Sequence, residues 1–194
     1  METINAKELF DRLISHSLLL KVGEETIAII KERTLQGEFL EGSSPGSERY
    51  STKPAPMPLG GFIARLGNGR GNQAWKRIQR GEEPGTIWRT SSSGKIWITL
   101  NGGYKRLREI AGKESDHVTL NWSGQMMRSL SKITINDSER SVTIQFSNYE
   151  TARLASYHHE GVGKHKKKRI FLGLSETELQ KLSTIISSNI AVRF

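Results

Sequence analysis

The sequence predicts an α+β fold in which a small antiparallel sheet of hairpins packs with N-terminal and C-terminal helices. Apolar residues recur at helical spacing near both ends of the chain. Between them, short β-branched and aromatic segments alternate with period two around turn residues. Paired strands separated by helices favour the α+β class, and 194 residues favour one compact domain with appendages over two domains.

The N-terminal segment, residues 1–36, is predicted to be helical. Asn5 is a suitable N-cap with Glu8 three residues later, and apolar residues then repeat at helical spacing as far as Leu18. The stretch 18–23 either breaks this helix or lets it continue into a second apolar stripe that ends at Gly37. We therefore expect a helical hairpin or one long helix.

Residues 37–85 are predicted to form a long Pro/Gly-rich arm or insertion. All five prolines and ten of the 19 glycines fall here, which disfavours regular structure. A long irregular segment of this kind is usually either disordered or an arm ordered by a neighbouring subunit, and we favour the arm. Residues 73–78 favour a helical turn within it. The glycine-rich stretch 67–71 lacks the Lys-Ser/Thr end of a Walker loop and the flanking strand and helix of a dinucleotide turn, and is interpreted as a flexible loop.

Residues 86–194 are predicted to form the α+β core, in one domain with residues 1–36. Alternation and β-branched residues predict strands over 86–90, 95–100, 117–120, 133–135 and 142–146. Helical spacing predicts helices over 104–110, 123–130, 150–159 and 176–190, with a loop over 161–168. Ser175 is predicted to cap the last helix, whose apolar face contains Leu179, Leu182, Ile185 and Ile186.

The composition excludes several functional classes. The chain has no cysteine, so a disulfide framework, a thiolate zinc site and a cysteine nucleophile are all excluded. The first residues do not have the pattern of a signal peptide, and no apolar stretch reaches the roughly 18 residues needed to span a bilayer. We expect a soluble protein, made in the cytoplasm, that does not contact a membrane.

The net charge of +9 raises the question of nucleic-acid binding. Residues 62–113 carry 11 basic and 3 acidic side chains, and residues 150–194 carry 8 and 4. The run from Lys164 to Arg169 is the most conspicuous basic segment. A solvated loop or a contact with an acidic neighbouring subunit is the favoured interpretation, and contact with DNA phosphates is the alternative. The candidate residues are Lys164, Lys166, Lys167, Lys168 and Arg169.

No catalytic, metal or cofactor site is predicted. Adjacent histidines on a helix point about 100° apart, so His158 and His159 do not suit one metal ion and are interpreted as helix-end residues at a packing or subunit contact. Glu82 and Glu83 are interpreted as solvated or paired carboxylates. Because no nucleophile, base and oxyanion site come together in the pattern, we expect no enzyme.

Several segments, taken in order, resemble the phage virion morphogenesis family, which contains tail-completion and head-tail joining proteins. They are residues 118–120, 123–130, 133–146, 155–161 and 169–176, the last with the pattern Arg-x-Phe-Leu-Gly-Leu-Ser. Residues 30–34 with Gly37 and Gly42, and residues 103–108, also match. The resemblance covers about residues 20 to 190, except the poorly matching part from 53 to 98. The family-motif positions are Gly124, Ser129, Leu130, His158, Gly161, Phe171, Leu172 and Gly173.

The resemblance implies a structural virion protein of the neck, assembled in the host cytoplasm, commonly as a ring of six or twelve subunits around the DNA channel. Its implied partners are the portal or connector, the tail tube or tail terminator, and non-specifically the packaged DNA. Phe171 and Leu172 are expected to anchor the last helix to the sheet. Lys166, Lys167 and Lys168 depart from the family, which often has an apolar-Pro stretch there.

Two other classes of protein compete with this interpretation. The first is a DNA-binding accessory protein of a phage or mobile element, which the basic middle of the chain favours. The second is a nuclease or peptidoglycan hydrolase, which requires a convergent set of His, Asp or Glu residues that the pattern does not contain.

Overall fold

The computed structural model describes residues 13–162 and 167–191, and the chain divides into two compact units. Unit 1 contains the described residues up to Glu48 and from Thr119 onward, and unit 2 is Arg49–Val118. The described residues form seven helices and five strands, which confirms the α+β class. In chain order they are α1 (His16–Leu35), β1 (Ala55–Pro58), α2 (Leu59–Leu66), α3 (Asn68–Gln79), β2 (Gly85–Arg89), β3 (Ile96–Leu100), α4 (Gly103–Ile110), α5 (Gln125–Ser129), β4 (Leu130–Asn136), β5 (Ser141–Phe146), α6 (Tyr149–Glu160) and α7 (Glu176–Ala191).

Helix α1 is the main helix of unit 1. The Ser15 hydroxyl accepts a hydrogen bond from the Leu18 N–H at 3.3 Å, and the helix then runs without a break to Leu35. The stretch 18–23 therefore lets the helix continue to Leu35, as one of the two alternatives predicted. The predicted first helix is nevertheless interrupted, because Ile14 and Ser15 are not helical and Ser15 caps a new helix. Residues 5–12 lie outside the described residues. Gly23 lies inside the helix, where an added Cβ would be 3.0 Å from side-chain atoms of Ile133 and Val142. Glycine thus lets α1 approach the hairpin closely.

The hairpin of β4 and β5 and the helices around it complete unit 1. The strands pair antiparallel from Leu130 opposite Phe146 to Asn136 opposite Ser141, which confirms the predicted hairpin. The apolar core cluster lies between this hairpin and the helices. Its buried members are Ile30, Met126, Met127, Leu130, Ala155 and Phe171.

Helix α7 begins with the predicted cap. The Ser175 hydroxyl accepts from the Glu178 N–H at 3.3 Å, and the Glu178 carboxylate accepts from the Ser175 N–H at 2.6 Å, so the two form a capping box. The predicted apolar face is only partly buried: Leu182 is 5% exposed, but Leu179 is 53% exposed. The reason is that α7 turns Glu178 inward, and Leu179 is rotated about 100° from it.

Unit 2 corrects the prediction of an irregular arm for residues 55–79, whereas residues 37–54 and 80–84 contain no helix or strand, as predicted. Residues 55–58 form strand β1, and residues 59–79 form helices α2 and α3. The sheet order is β1-β3-β2, so β1 is an edge strand, where Pro56 and Pro58 are tolerated because one side of the strand needs no hydrogen-bond donors. The boundaries of the two units differ from those of the predicted segments, because residues 86–118 lie in the same unit as residues 49–85.

The glycines of residues 67–71 join and pack two helices, so the flexible-loop interpretation is wrong. Gly67 has φ +79° and links α2 directly to α3. Gly71 lies within α3, where an added Cβ would be 2.7 Å from the Cα of Ile63. Because backbone approaches backbone here, glycine serves close helix packing rather than flexibility.

The hairpin of β2 and β3 confirms the prediction for residues 86–100. Its strands pair antiparallel from Gly85 opposite Leu100 to Arg89 opposite Ile96. Ile98 and Leu100 are fully buried, as are Phe62 of α2 and Leu107 of α4. These side chains form the core of unit 2.

The predicted strand over residues 117–120 is wrong. These residues pair with no strand, and Leu120 has a φ of +49°. Val118 and Thr119 are nevertheless buried, so the apolar pattern reflects burial where the chain passes from unit 2 to unit 1.

The described helices were also tested for membrane spans. None of those within 13–162 and 167–191 is both long and apolar enough to cross a bilayer.

Candidate functional site

Three glycines of the family motif occupy backbone turns. Gly124 precedes α5 with φ +76°, Gly161 ends α6 with φ +75°, and Gly173 has φ +118° ahead of α7. Other residues rarely adopt these conformations. The motif glycines therefore determine where helices begin and end in unit 1.

Ser129 and Leu130 connect α5 to its neighbours. The Ser129 hydroxyl oxygen lies 2.8 Å from the Met126 carbonyl oxygen and 2.7 Å from the Thr151 hydroxyl oxygen, which ties α5 to α6. Leu130 is buried in the same apolar cluster as Phe171. Both residues therefore stabilise the core of unit 1.

Arg33 joins three segments that are distant in sequence. Its guanidinium lies 2.5 Å from the Glu178 carboxylate and donates to the carbonyl oxygens of Phe171 at 2.7 Å and Gly173 at 3.1 Å. The side chains of Arg33 and Glu178 are only 8% and 11% exposed. This buried pair holds α7 against α1, and Phe171, just before α7, is packed in the core cluster.

His158 and His159 lie at the end of α6 in largely apolar surroundings. Burial lowers the pKa of His158, and the charge of Arg169 lowers it further. Burial also lowers the pKa of His159, and the Lys168 charge adds to the effect. The His159 ring packs edge-on to Phe171, with ring centroids 6.0 Å apart. Both histidines are therefore favoured in the neutral form.

No metal centre is found in the part of the chain that the structure describes. Within residues 13–162 and 167–191, no group of three His, Asp or Glu side chains is placed to hold a metal ion.

The basic run is only partly a solvated loop. Lys167 donates to the Gly46 carbonyl oxygen at 2.7 Å, and Arg169 donates to that of Ser47 at 2.9 Å. The backbone of 168–170 also hydrogen-bonds to residues 40–44. Residues 167–169 have no regular structure, but the solvated interpretation is wrong for Lys167 and Arg169, because these two cations bind main-chain oxygens and only Lys168 of the three is exposed. Lys164 and Lys166 lie outside the described residues.

Helix α6 presents apolar side chains to solvent. Tyr149 is 76% exposed, Leu154 46% and Tyr157 43%, and Val162 beyond the helix is 57% exposed. Exposed aromatic and aliphatic residues that cluster along one element are typical of protein interfaces. This surface, which we call the α6 apolar surface, was not predicted, because the helical pattern of 150–159 does not show which side faces the core.

Unit 2 contains a buried carboxylate held by arginines. Glu83 is almost fully buried; Arg106 lies 2.5 Å from one of its oxygens, and Arg77 lies 3.2 Å from the other. Arg106 also pairs with Glu109, and these hydrogen bonds raise the pKa of its guanidinium. The paired interpretation is thus confirmed for Glu83, and Glu82 pairs with Arg80 at the surface.

A cavity of about 190 Å³ lies beside this network, within unit 2. It is lined by Arg70, Arg77, Glu83, Arg106 and Glu109, among others. Its arginines are engaged, since Arg70 donates to the Ala111 carbonyl oxygen and Arg106 binds two carboxylates. The cluster therefore serves packing in unit 2.

The positive charge of the chain is concentrated in unit 2. Residues 49–118 hold 13 Lys and Arg and 5 Asp and Glu, a net charge of +8 out of +9 for the whole chain. The rest of the sequence is almost neutral. Compared with protein-family models, with curated proteins and with solved structures, the chain gives no significant match.

Proposed function

We propose that this chain is a structural bacteriophage virion protein of the neck, a tail-completion or head-to-tail joining subunit that forms a ring around the DNA channel. In this role it contacts the portal or connector on one side and the tail tube or tail terminator on the other. The role is structural rather than catalytic, and the protein resides in the virion after assembly in the host cytoplasm.

The observation that carries the proposal is the α6 apolar surface. A subunit that works alone gains nothing from exposing Tyr149, Leu154 and Tyr157, whereas a subunit of an assembly buries such residues against its neighbour. Contacts between unlike faces, repeated by rotation, close into a ring. The segments that resemble the virion family, which include the C-terminal part of α6, contribute Leu130, Ala155 and Phe171 to the core of unit 1, which supports a structural use of these residues.

The test is the particle mass of the purified full chain by mass photometry, combined with cryo-electron microscopy of the neck of its parent phage. We expect a ring of six or twelve subunits, as the resemblance implies. The double substitution Leu154→Ser with Tyr157→Ser should shift the mass to the monomer with only a small fall in the melting temperature, because both side chains are about half exposed and serine is a weaker helix former.

The matched control is Glu150→Gln with Arg153→Gln, which removes an exposed ion pair from the same helix. It should leave the ring intact, since exposed pairs contribute little. Rings that survive the Leu154 and Tyr157 substitutions would contradict an interface at α6. A wild-type chain that stays monomeric and is absent from virions would refute the proposal.

The second candidate is a DNA-binding accessory protein, favoured by the net charge of +8 in unit 2. Presence in the virion distinguishes the two. An accessory factor binds DNA in the cell and is missing from the neck, whereas the proposed subunit is present in fixed copy number.

A further inference from the structure

The helix pair α2–α3 is basic along its whole length. Residues 59–81 contain no Asp or Glu, so no acidic side chain within the pair neutralises its cations. These cations are Arg65, Arg70, Lys76, Arg77 and Arg80.

The packing of α3 determines which of its residues face outward. Gly71, Ala74 and Ile78 are buried at spacings of three and four residues, and Gly71 packs against the α2 backbone. The opposite side is exposed. It presents Asn72, Gln73, Lys76 and Arg80, which we call the α3 stripe.

The five cations of the pair differ in their contacts with the rest of the chain. Arg70 and Arg77 lie at the flank, where they bind the Ala111 carbonyl oxygen and Glu83, so their charges serve unit 2 itself. Lys76 makes no hydrogen bond or ion pair with any residue that the structure describes. Among residues 13–162 and 167–191, Arg80 pairs only with the exposed Glu82, a contact of low energy. Arg65 is exposed near the end of α2, where its charge also acts on Tyr104.

We propose that the α3 stripe, together with Arg65, binds the phosphate backbone of double-stranded DNA. Helix α3 has 12 residues and is about 18 Å long, so its side chains span several phosphates of one strand. Lysine and arginine neutralise phosphates, and the amides of Asn72 and Gln73 donate hydrogen bonds to phosphate oxygens. This inference rests on the proposed function, because DNA that passes through a neck must be bound without reading its sequence.

Duplex DNA fits this surface better than an acidic protein does. The stripe lacks apolar side chains, which a protein interface needs at its centre, and its donors are all cations or amides. Charge complementarity extends beyond the stripe, since unit 2 carries a net charge of +8. The surface is also separate from the run at 164–169, whose Lys167 and Arg169 bind main-chain oxygens.

The test measures fluorescence anisotropy of a labelled random-sequence duplex titrated with the full chain at several salt concentrations. The triple substitution Arg65→Gln, Lys76→Gln and Arg80→Gln should weaken binding at least about tenfold and lower the salt slope by about two to three, since each phosphate contact contributes about 0.9 to that slope. Lys76→Gln alone should lower the slope by about one. All three side chains are exposed, so the melting temperature should not change.

The matched control is Lys21→Gln, Lys132→Gln and Lys181→Gln, which removes the same charge from exposed positions of unit 1. It should stay within about twofold of the wild-type affinity. An equal loss of DNA affinity in both triple variants would overturn the proposal, because the affinity would then depend only on net charge. Absence of DNA binding by the wild type, or competition by polyglutamate as strong as by unlabelled duplex, would overturn it as well.

Mass photometry of the same variants separates this inference from the proposed function. Rings that persist in the Arg65, Lys76 and Arg80 variant while DNA affinity falls support both. If this variant forms rings and its DNA affinity is unchanged, DNA binding by the α3 stripe is refuted and the proposed role in the neck is retained. DNA binding that depends on the stripe in a chain without rings supports the stripe and moves the function to the accessory protein.

Discussion

Units 1 and 2 have similarly built cores but different surfaces. Each packs a short antiparallel sheet against helices, and each buries one carboxylate against arginine, Glu178 in unit 1 and Glu83 in unit 2. Unit 1 is nearly neutral and exposes the α6 apolar surface, whereas unit 2 carries most of the net charge and exposes the α3 stripe. This difference underlies both proposals, protein contact through the α6 apolar surface and polyanion binding through the α3 stripe.

The two buried carboxylates also differ in how they are solvated. The pair of Arg33 and Glu178 is enclosed on both sides, so its geometry must be exact to offset the loss of hydration. Around Glu83 the arginines remain partly exposed, and water shares their solvation. We infer that the unit 1 pair is the more sensitive to substitution.

The largest expected effect tests whether unit 1 has its own core. Phe171→Ala should cost about 3–5 kcal/mol of the free energy of unfolding, because a fully buried phenyl ring leaves a cavity beside Leu130 and Ala155. Urea denaturation measures the loss, and hydrogen exchange locates it. Leu172→Ala, at a partly buried position, should cost less. Equal loss of protection in residues 59–79 would contradict the separation into two units.

A medium effect tests the close helix packing of unit 2. Gly71→Ala should cost about 1–3 kcal/mol, because its Cβ would meet the Ile63 backbone at 2.7 Å and force α2 and α3 apart. Gly69→Ala, in the same helix with open space around it, should stabilise by about 0.4–1 kcal/mol. Thermal unfolding measures the stability of both variants. Destabilisation of similar size at the two positions would contradict close helix packing at Gly71.

The smallest effect is a pH dependence expected in unit 1. The pKa of His158 is lowered by burial in the folded state, so the unfolded chain binds the proton more readily. The stabilisation is present above the unfolded pKa of about 6.5 and is lost as pH falls below it. The melting-temperature difference between wild type and His158→Gln should therefore shrink from pH 8 to pH 5. A constant difference over this range would show that His158 does not titrate with folding.

Much of the fold could be predicted because its signals are local. The cap at Ser175, the hairpin around residues 136–138 and the helix over 150–159 each depend on neighbours in sequence. The candidate surfaces were harder to predict. The run at 164–169 looked like the basic site, but Lys167 and Arg169 bind carbonyl oxygens about 120 residues away in the chain.

The sequence by itself determined the α+β class, the hairpins, the cap at Ser175 and the excess of positive charge, since periodicity, turn residues and composition act over a few residues. Only the tertiary structure decided that the Pro/Gly-rich segment is an edge strand and two helices. The sequence favoured flexibility at Gly71, which packs against the Ile63 backbone, and left Glu83 either solvated or paired, which its contact with Arg106 decides. The exposed side of α6 was likewise determined by tertiary packing, because the neighbouring elements bury only one face of the helix.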